Sequence, residues 1–130
     1  MERWLGKYSE VLYAVMRAVI GFLFACHGAQ KLLGKFGGQG WPSDPTMLIA
    51  GIIELGGGVL VAIGLWAGFG AFLASGLMAF AYFMAHAKGG FWPILNRGEL
   101  AVAYCFIFLY IASKGSGRYS VEGLMRGRRL

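Results

Sequence analysis

Apolar residues are gathered into four long segments of the chain, separated by short stretches rich in glycine and charged residues. The segments cover about residues 11–33, 46–66, 68–87 and 93–113. A helix needs roughly 20 mostly apolar residues to cross a hydrocarbon core of about 30 Å. The pattern therefore predicts an all-α polytopic membrane protein. Its four transmembrane helices form one bundle and a single domain, followed by a basic tail at residues 114–130.

The amino-acid composition agrees with a lipid environment. Hydrophobic residues make up 58% of the chain and charged residues 14%, whereas soluble domains carry about 25% charged residues. The 22 glycines suit closely packed membrane helices. Cys26 and Cys105 each lie inside an apolar segment, so we predict that they pack as small hydrophobic residues.

Lysine and arginine residues are distributed unevenly between the two ends of the predicted bundle. Those beside the termini are Arg3, Lys7, Lys114, Arg118, Arg126, Arg128 and Arg129, and those at the other end are Lys31, Lys35, Lys88 and Arg97. Because basic residues favour the cytoplasmic side, we predict that both termini are cytoplasmic. Anionic lipid headgroups then account for the net charge of +6, so the predicted partner is the bilayer and not nucleic acid.

Among the ionisable residues inside or at the ends of the predicted spans, the candidates for a functional role are Arg17, His27, Glu54, His86 and Glu99. A charge in the bilayer is costly, so such side chains usually face the bundle interior, pair with one another or serve a function. At 100° per residue, each shares a helix face with small or aromatic residues. The predicted interior faces are Arg17, Gly21, Phe24, Gly28 and Lys31; Ala50, Gly51, Glu54, Gly58 and Val61; Gly68, Phe72, Ser75, Ala79, Tyr82 and His86; and Glu99, Ala103, Phe106 and Tyr110.

Several polar side chains are predicted at a similar depth near the outer end of the bundle. Counted at about 1.5 Å per residue from the helix ends, the outer third contains His27, Lys31, His86 and Glu99. These groups cannot all satisfy one another, so hydrogen-bonding capacity is left for water or a ligand. We therefore predict that the four residues line one cavity open to the outer leaflet, with Glu54 at its floor and Trp92 near its rim.

Each of these residues also has a structural interpretation. Arg17 and Glu54 are predicted to form a structural ion pair between the first two helices, and Lys31 could simply extend toward the interface. His27 and His86 could be satisfied by hydrogen bonds between helices. Two histidines at equal depth would also fit a bis-histidine haem, but they are weak evidence for one. Haem is therefore not expected, and no metal site is predicted.

Each predicted span contains or adjoins a short motif with polar residues. The first helix contains "MRAVIGFLFACHGAQKLLG", the second "IIELGGGVLVAIGL", the end of the third "FMAHAKGGFW", and the fourth with its tail "GELAVAY" and "GSGRYSVEG". Together they resemble the motifs of DoxX-type membrane proteins, which have an arginine and an HGxxKL ending, a Glu-Gly motif and a third-helix histidine. The resemblance covers roughly Tyr13 to Gly123, nearly the whole chain.

The resemblance implies a four-helix integral protein of the prokaryotic plasma (inner) membrane. Better-studied relatives are subunits of thiosulfate:quinone oxidoreductases, or associate with thiol-redox and superoxide-detoxifying partners. The resemblance therefore implies other membrane or redox-complex subunits as partners. More distantly similar bundles oxidise thiols with quinone by means of paired cysteines, which this sequence lacks.

Two functional classes remain open. In the first, the chain is a membrane subunit of a quinone-linked oxidoreductase complex, and its pocket holds a quinone-like ligand. The residues that would bind this ligand are His27, Lys31, Glu54, His86 and Glu99, with no catalytic residue assigned. In the second, the chain is a non-catalytic accessory subunit that packs against a larger membrane complex. A small transporter is a weaker third possibility, because interrupted helices are not evident in the sequence.

Overall fold

The computed structural model describes residues 1–129, so Leu130 lies outside the described residues, as do the side chains of Arg128 and Arg129 at the end of the predicted basic tail. The described part contains helices and no strands. The helices are α1 (Glu2–Leu33), α2 (Pro45–Ile63), α3 (Ala67–Gly89), α4 (Pro93–Asn96), α5 (Glu99–Lys114) and α6 (Val121–Arg129).

Helices α1, α2 and α3 are long and apolar enough to cross a membrane, with 32, 19 and 23 residues. Helix α5 has 16 residues, which corresponds to about 24 Å at 1.5 Å per residue. It is separated from α4 by Arg97, whose φ of 62° ends the short helix. The prediction of an all-α membrane protein is confirmed, and the predicted fourth span consists of two helices.

The ends of α2 follow from local sequence. The Asp44 side chain accepts a hydrogen bond of 3.0 Å from the backbone N–H of Thr46, and Pro45 occupies the first helical position. Both features favour a helix start. The helix ends at Gly64, whose φ of 74° is a left-handed conformation that glycine adopts without a steric penalty.

Glycines bring α1 and α2 into direct backbone contact. A Cβ atom at Gly21 would lie 2.5 Å from the backbone nitrogen of Ala62, and one at Gly58 would lie 2.5 Å from the backbone nitrogen of Ala25. Only a residue without a side chain allows this approach, and close approach is how helices pack when lipid removes the hydrophobic driving force.

In the packing of α3 against α5, α3 contributes small side chains and α5 contributes large ones. Ala71 and Ala74 of α3 and Phe108 and Ile111 of α5 are completely buried in a shared apolar core. The small alanine side chains leave room for the phenylalanine and isoleucine side chains, so the two helices fit at high density.

The interior faces predicted for α1 and α2 are largely confirmed. The buried members are Arg17, Gly21, Phe24 and Gly28 on α1, and Ala50, Gly51, Glu54, Gly58 and Val61 on α2. On α3, Ser75 and Tyr82 are buried as predicted. Phe72, which was placed on the same face, is 64% exposed.

The interior face predicted for the fourth helix is wrong. The residues assigned to it, Glu99, Ala103, Phe106 and Tyr110, are all exposed, and the buried residues of α5 are Ala101, Tyr104, Phe108 and Ile111. The prediction assumed that an ionisable residue marks the interior. Glu99 instead lies in the first turn of α5, where the helix dipole and the solvent stabilise a negative charge.

The predicted ion pair between Arg17 and Glu54 is also wrong. Gly28 of α1 faces Leu55 of α2, so Glu54 lies level with position 29 of the antiparallel α1. Arg17 is twelve residues from that position, which is roughly 18 Å along a helix. No arginine side chain spans this distance.

Arg17 instead joins the end of α2 to the segment that follows α5. It is 3% exposed, and its guanidinium donates hydrogen bonds to three backbone carbonyls: Val61 at 2.8 Å, Tyr119 at 3.1 Å and Ser116. The carbonyl groups in the last turn of a helix lack intrahelical partners and carry partial negative charge. The buried cation therefore satisfies backbone acceptors, and its role is to hold the fold together.

Candidate functional site

A cavity of about 430 Å³ lies between α1, α2, α3 and α5 in the half of the bundle opposite the chain termini. Most of its wall is apolar, with Phe24, Met78, Phe80, Met84 and Leu100 among the contributors. Its polar wall includes four of the predicted site residues, His27, Lys31, Glu54 and His86. The structure therefore brings together one polar cluster from three helices.

Glu54 and Lys31 form the centre of this cluster. Lys31 Nζ lies 2.5 Å from Glu54 Oε1, and the exposed fractions of the two side chains are 28% and 4%. Within the described residues, the second oxygen, Oε2, is buried and has no hydrogen-bond partner. A carboxylate oxygen that is removed from water without a partner is costly, so a hydrogen-bond donor that reached this atom would stabilise the carboxylate.

Two π-helical turns position the polar residues of the cavity. One turn, Ile53–Gly57, contains Glu54, and the other, Tyr82–His86, ends at His86. Turns of this kind are rare and frequently occur at functional sites. Helical periodicity at 100° per residue cannot reveal them, so sequence reasoning missed both.

His86 is fixed by the loop and short helix α4 between α3 and α5. Its Nδ1 lies 3.2 Å from the backbone carbonyl oxygen of Asn96. Because a carbonyl oxygen only accepts hydrogen bonds, Nδ1 carries the proton and Nε2 is the acceptor in the neutral ring. The Asn96 side chain donates to the Gly90 carbonyl at 2.8 Å and to the Tyr82 hydroxyl at 3.2 Å. The loop and the imidazole are thus held as one unit.

Tyr104 is a site residue that sequence reasoning did not identify. It lines the cavity, is 5% exposed, and lies edge-on to His27 with ring centroids 6.3 Å apart. Its position three residues after the buried Ala101 could have indicated it, if α5 had been aligned on its apolar residues. Its phenol adds a hydroxyl donor to the set of polar groups at the cavity.

Glu99 and Trp92 do not line the cavity, unlike the other residues of the prediction. Glu99 is exposed at the start of α5, and Trp92 is 64% exposed. The wall instead includes Arg97 of the preceding loop. The cavity wall therefore has the basic side chain of Arg97 where the sequence predicted the acidic side chain of Glu99.

The polar groups of the cavity are suited to hydrogen bonding and proton exchange. The described residues contain no group of three histidine, cysteine or acidic side chains that could hold a metal ion. Lys31, Arg97 and Tyr104 supply donors, while Glu54 Oε2 and the free nitrogen of His86 supply acceptors. The cavity wall therefore combines an apolar surface with hydrogen-bond donors and acceptors.

Comparisons with known proteins agree with the motifs of the sequence. The family profile DoxX matches residues 12–87, which contain the Arg17, His27, Lys31, Glu54 and His86 positions. A protein of Haemophilus influenzae (strain ATCC 51907 / DSM 11121 / KW20 / Rd), described as an uncharacterised protein, is 39% identical over 125 residues, which cover 91% of this chain and 93% of the relative. No solved structure matches the chain. The family match and this relative establish that the chain belongs to the DoxX family.

Proposed function

We propose that the chain is an integral membrane subunit of a quinone-linked oxidoreductase complex, and that its cavity binds a quinone-like ligand. The host membrane in this proposal is the prokaryotic plasma membrane, with both termini in the cytoplasm and the cavity in the outer half. The excess of lysine and arginine beside the termini supports this orientation.

The observation that carries the proposal is the buried carboxylate of Glu54. Only one of its oxygens is paired, with Lys31, and the other is buried with no partner among the described residues, in a side chain that belongs to the cavity wall. A purely structural ion pair would be expected to satisfy both oxygens, because an unpaired buried acceptor costs about 1–3 kcal/mol or more. A ligand that donates a hydrogen bond to Oε2 removes this cost.

The chemistry of the wall fits a quinone in both of its redox forms. A quinone carbonyl accepts hydrogen bonds, and Lys31 and Tyr104 can donate them. A quinol hydroxyl donates, and Glu54 Oε2 and His86 Nε2 can accept. The apolar part of the wall suits the ring and the start of an isoprenoid tail, and the volume of about 430 Å³ lies within the usual range of ~300–1,000 Å³ for ligand sites.

A bound quinone would supply two-electron, two-proton redox chemistry. This chain would supply the binding site, the orientation of the polar end and groups that hold protons near it. Glu54 and the free nitrogen of His86 are the proton-holding groups in this proposal. His27 adds a second imidazole to the wall. Electron donors and further subunits would come from the complex.

The proposal is tested by purification in a mild detergent, followed by extraction and detection of bound quinone. Titration of the quinone-depleted protein with a short-chain quinone should then show saturable binding, which Glu54→Leu weakens at least tenfold. The matched control is Glu10→Leu, because Glu10 pairs with Lys114 at the other end of the bundle. If the purified protein retains no quinone and shows no saturable binding, the ligand site is contradicted. That result would favour a non-catalytic accessory subunit.

A further inference from the structure

A second cavity of about 470 Å³ lies beside the first, at the end of α1. It is formed by residues 38–44 of the loop between α1 and α2, together with Gln30, Lys31 and Met47. Gln39, Ser43 and Asp44 give this wall a polar character. We call this cavity the vestibule.

The loop that builds the vestibule has a defined conformation. The Gln30 side chain donates a hydrogen bond of 3.1 Å to the Phe36 carbonyl, and the Gly38 N–H donates one of 2.9 Å to the Lys35 carbonyl. Gly38 lies so close to the backbone of Gln30 that a Cβ atom would collide with it. The vestibule is therefore part of the fold, and its loop residues lie beyond the ends of α1 and α2.

Lys31 and Met47 line both cavities, and Lys31 is the ionisable residue that they share. Its side chain is 28% exposed, while the Glu54 side chain that it contacts at 2.5 Å is 4% exposed. Lys31 thus stands between the polar vestibule and a carboxylate that is almost completely removed from water.

We infer that Glu54 exchanges protons with the aqueous phase on the vestibule side through Lys31. Starting from the ion pair, the Lys31 ammonium gives a proton to Glu54 Oε1, so that one N–H bond breaks and one O–H bond forms. A hydronium ion in the vestibule then gives its proton to the neutral amine of Lys31 and is left as water. The reverse sequence returns a proton from Glu54 to the vestibule.

Other titratable groups line the main cavity together with Glu54. They are His27 on α1, His86 on α3, Tyr104 on α5 and Arg97 in the loop before α5. None of these four lines the vestibule, so they can share a proton with Glu54 or a ligand but offer no contact with that aqueous opening. The inference deepens the proposed function, because Glu54 would also meet the ligand, although its test needs no ligand.

The test uses protein reconstituted in one orientation in lipid vesicles, with the pH set independently on the two sides. A membrane-soluble carbodiimide modifies protonated carboxyl groups in apolar surroundings, and mass spectrometry of the peptides measures the modification of Glu54. We expect modification to rise at least fivefold when the vestibule side is changed from pH 8 to pH 5. The same change on the side of the chain termini should have no effect. Modification that follows the pH on the terminal side, or neither side, contradicts the inference.

Two variants separate the role of Lys31 from a general disturbance. Lys31→Met should abolish the dependence on vestibule pH, whereas Lys114→Met, which breaks the exposed pair with Glu10, should keep the wild-type dependence. Ser43→Trp places a large ring in the vestibule without touching the ion pair, and should slow the response to a pH jump at least tenfold. Ser113→Trp, at the other end of the bundle, is its control. Unchanged behaviour of Lys31→Met, or of Ser43→Trp if Lys31→Met fails to fold, overturns the inference.

The outcomes for the two proposals are distinguishable. Modification of Glu54 that follows the vestibule pH in a protein without saturable quinone binding supports the proton route and contradicts the quinone site. Saturable quinone binding in a protein whose Glu54 modification does not change with the vestibule pH supports the quinone site and contradicts the proton route.

Discussion

Lys31 and Glu54 form an ion pair of 2.5 Å that joins α1 to α2 at the wall of the main cavity. The pair is asymmetric, because the lysine reaches the polar vestibule while the second carboxylate oxygen is buried and unpartnered within the described residues. A buried ion pair contributes little net stability compared with apolar residues of the same shape. Its position between two cavities is the basis of the proposed role in ligand and proton chemistry.

The ion pair makes a prediction about stability. Lys31→Met should lower the free energy of unfolding by about 3–5 kcal/mol, since it leaves a buried carboxylate without its counter-charge. Adding Glu54→Gln should recover most of this loss, because the uncompensated charge disappears. Denaturant unfolding in detergent, followed by circular dichroism, measures both effects. Lys114→Met, the control at an exposed pair of 3.0 Å, should change stability by less than about 1 kcal/mol, and equal values for the two single variants would contradict the prediction.

Arg17 provides a second prediction, on the attachment of the C-terminal segment. Arg17→Met should release residues 115–129, because it removes the donors to the Ser116 and Tyr119 carbonyls. Hydrogen exchange of the backbone amides should then increase in that segment and in the last turn of α2. Arg17→Lys should restore only part of the protection, because an ammonium lacks the planar fork of donors.

The control for this experiment is Arg118→Met. Arg118 is an exposed neighbour whose guanidinium lies 5.7 Å from the centre of the Tyr119 ring, so its replacement should leave the exchange pattern unchanged. A similar loss of protection in Arg118→Met would mean that net charge, and not the three carbonyl bonds, holds the segment.

Glycine packing gives a third prediction. Gly28→Ala should destabilise the protein by about 1–3 kcal/mol, since the new Cβ would collide with the backbone of Leu55. Gly76→Ala is the matched control, because no side chain or neighbouring helix lies within 4 Å of the new Cβ position in the middle of α3, apart from the adjoining residues of α3 itself. It should be neutral or stabilising by up to about 1 kcal/mol. Equal destabilisation by both would contradict the packing described for α1 and α2.

Much of the bundle could be predicted from the sequence because the relevant information is local. Small and apolar residues recur at helical spacing in the first two spans, and they identify the buried faces that contain Gly21 and Glu54. The polar cavity was predictable for the same reason, since costly residues such as His27 and Lys31 recur near one end of the bundle.

The rest depends on information that helical periodicity does not contain. Two of the three acceptors of Arg17 belong to residues about a hundred positions away in the chain, and the third, Val61, is 44 positions away. The register of α1 against α2 decides that Lys31 reaches Glu54. The π-helical turn Tyr82–His86 departs from 100° per residue, so helical spacing alone does not fix the face on which His86 lies. Tyr104 was missed because the face of α5 was aligned on Glu99, a residue that the helix terminus stabilises in solvent.

The orientation in the membrane is a fourth prediction. In a background with both cysteines replaced by alanine, Gln39→Cys and Gly89→Cys should react with an impermeant maleimide added to intact cells. Gly127→Cys should react only after the cells are opened. The excess of basic residues beside the termini is the physical reason. Labelling of Gly127→Cys in intact cells, with protection of the other two cysteines, would contradict the prediction and show that the termini lie outside.

The central claim is that the cavity around Glu54 binds a quinone-like ligand, and photo-crosslinking tests it most directly. A photoreactive quinone should attach mainly to peptides containing Glu54, Met78 or Tyr104, which line the cavity. An excess of unlabelled quinone should suppress this attachment, and Glu54→Leu should reduce it at least tenfold. Attachment spread over exposed residues of the outer surface such as Phe22 and Phe69, with no suppression by the competitor, would contradict the claim.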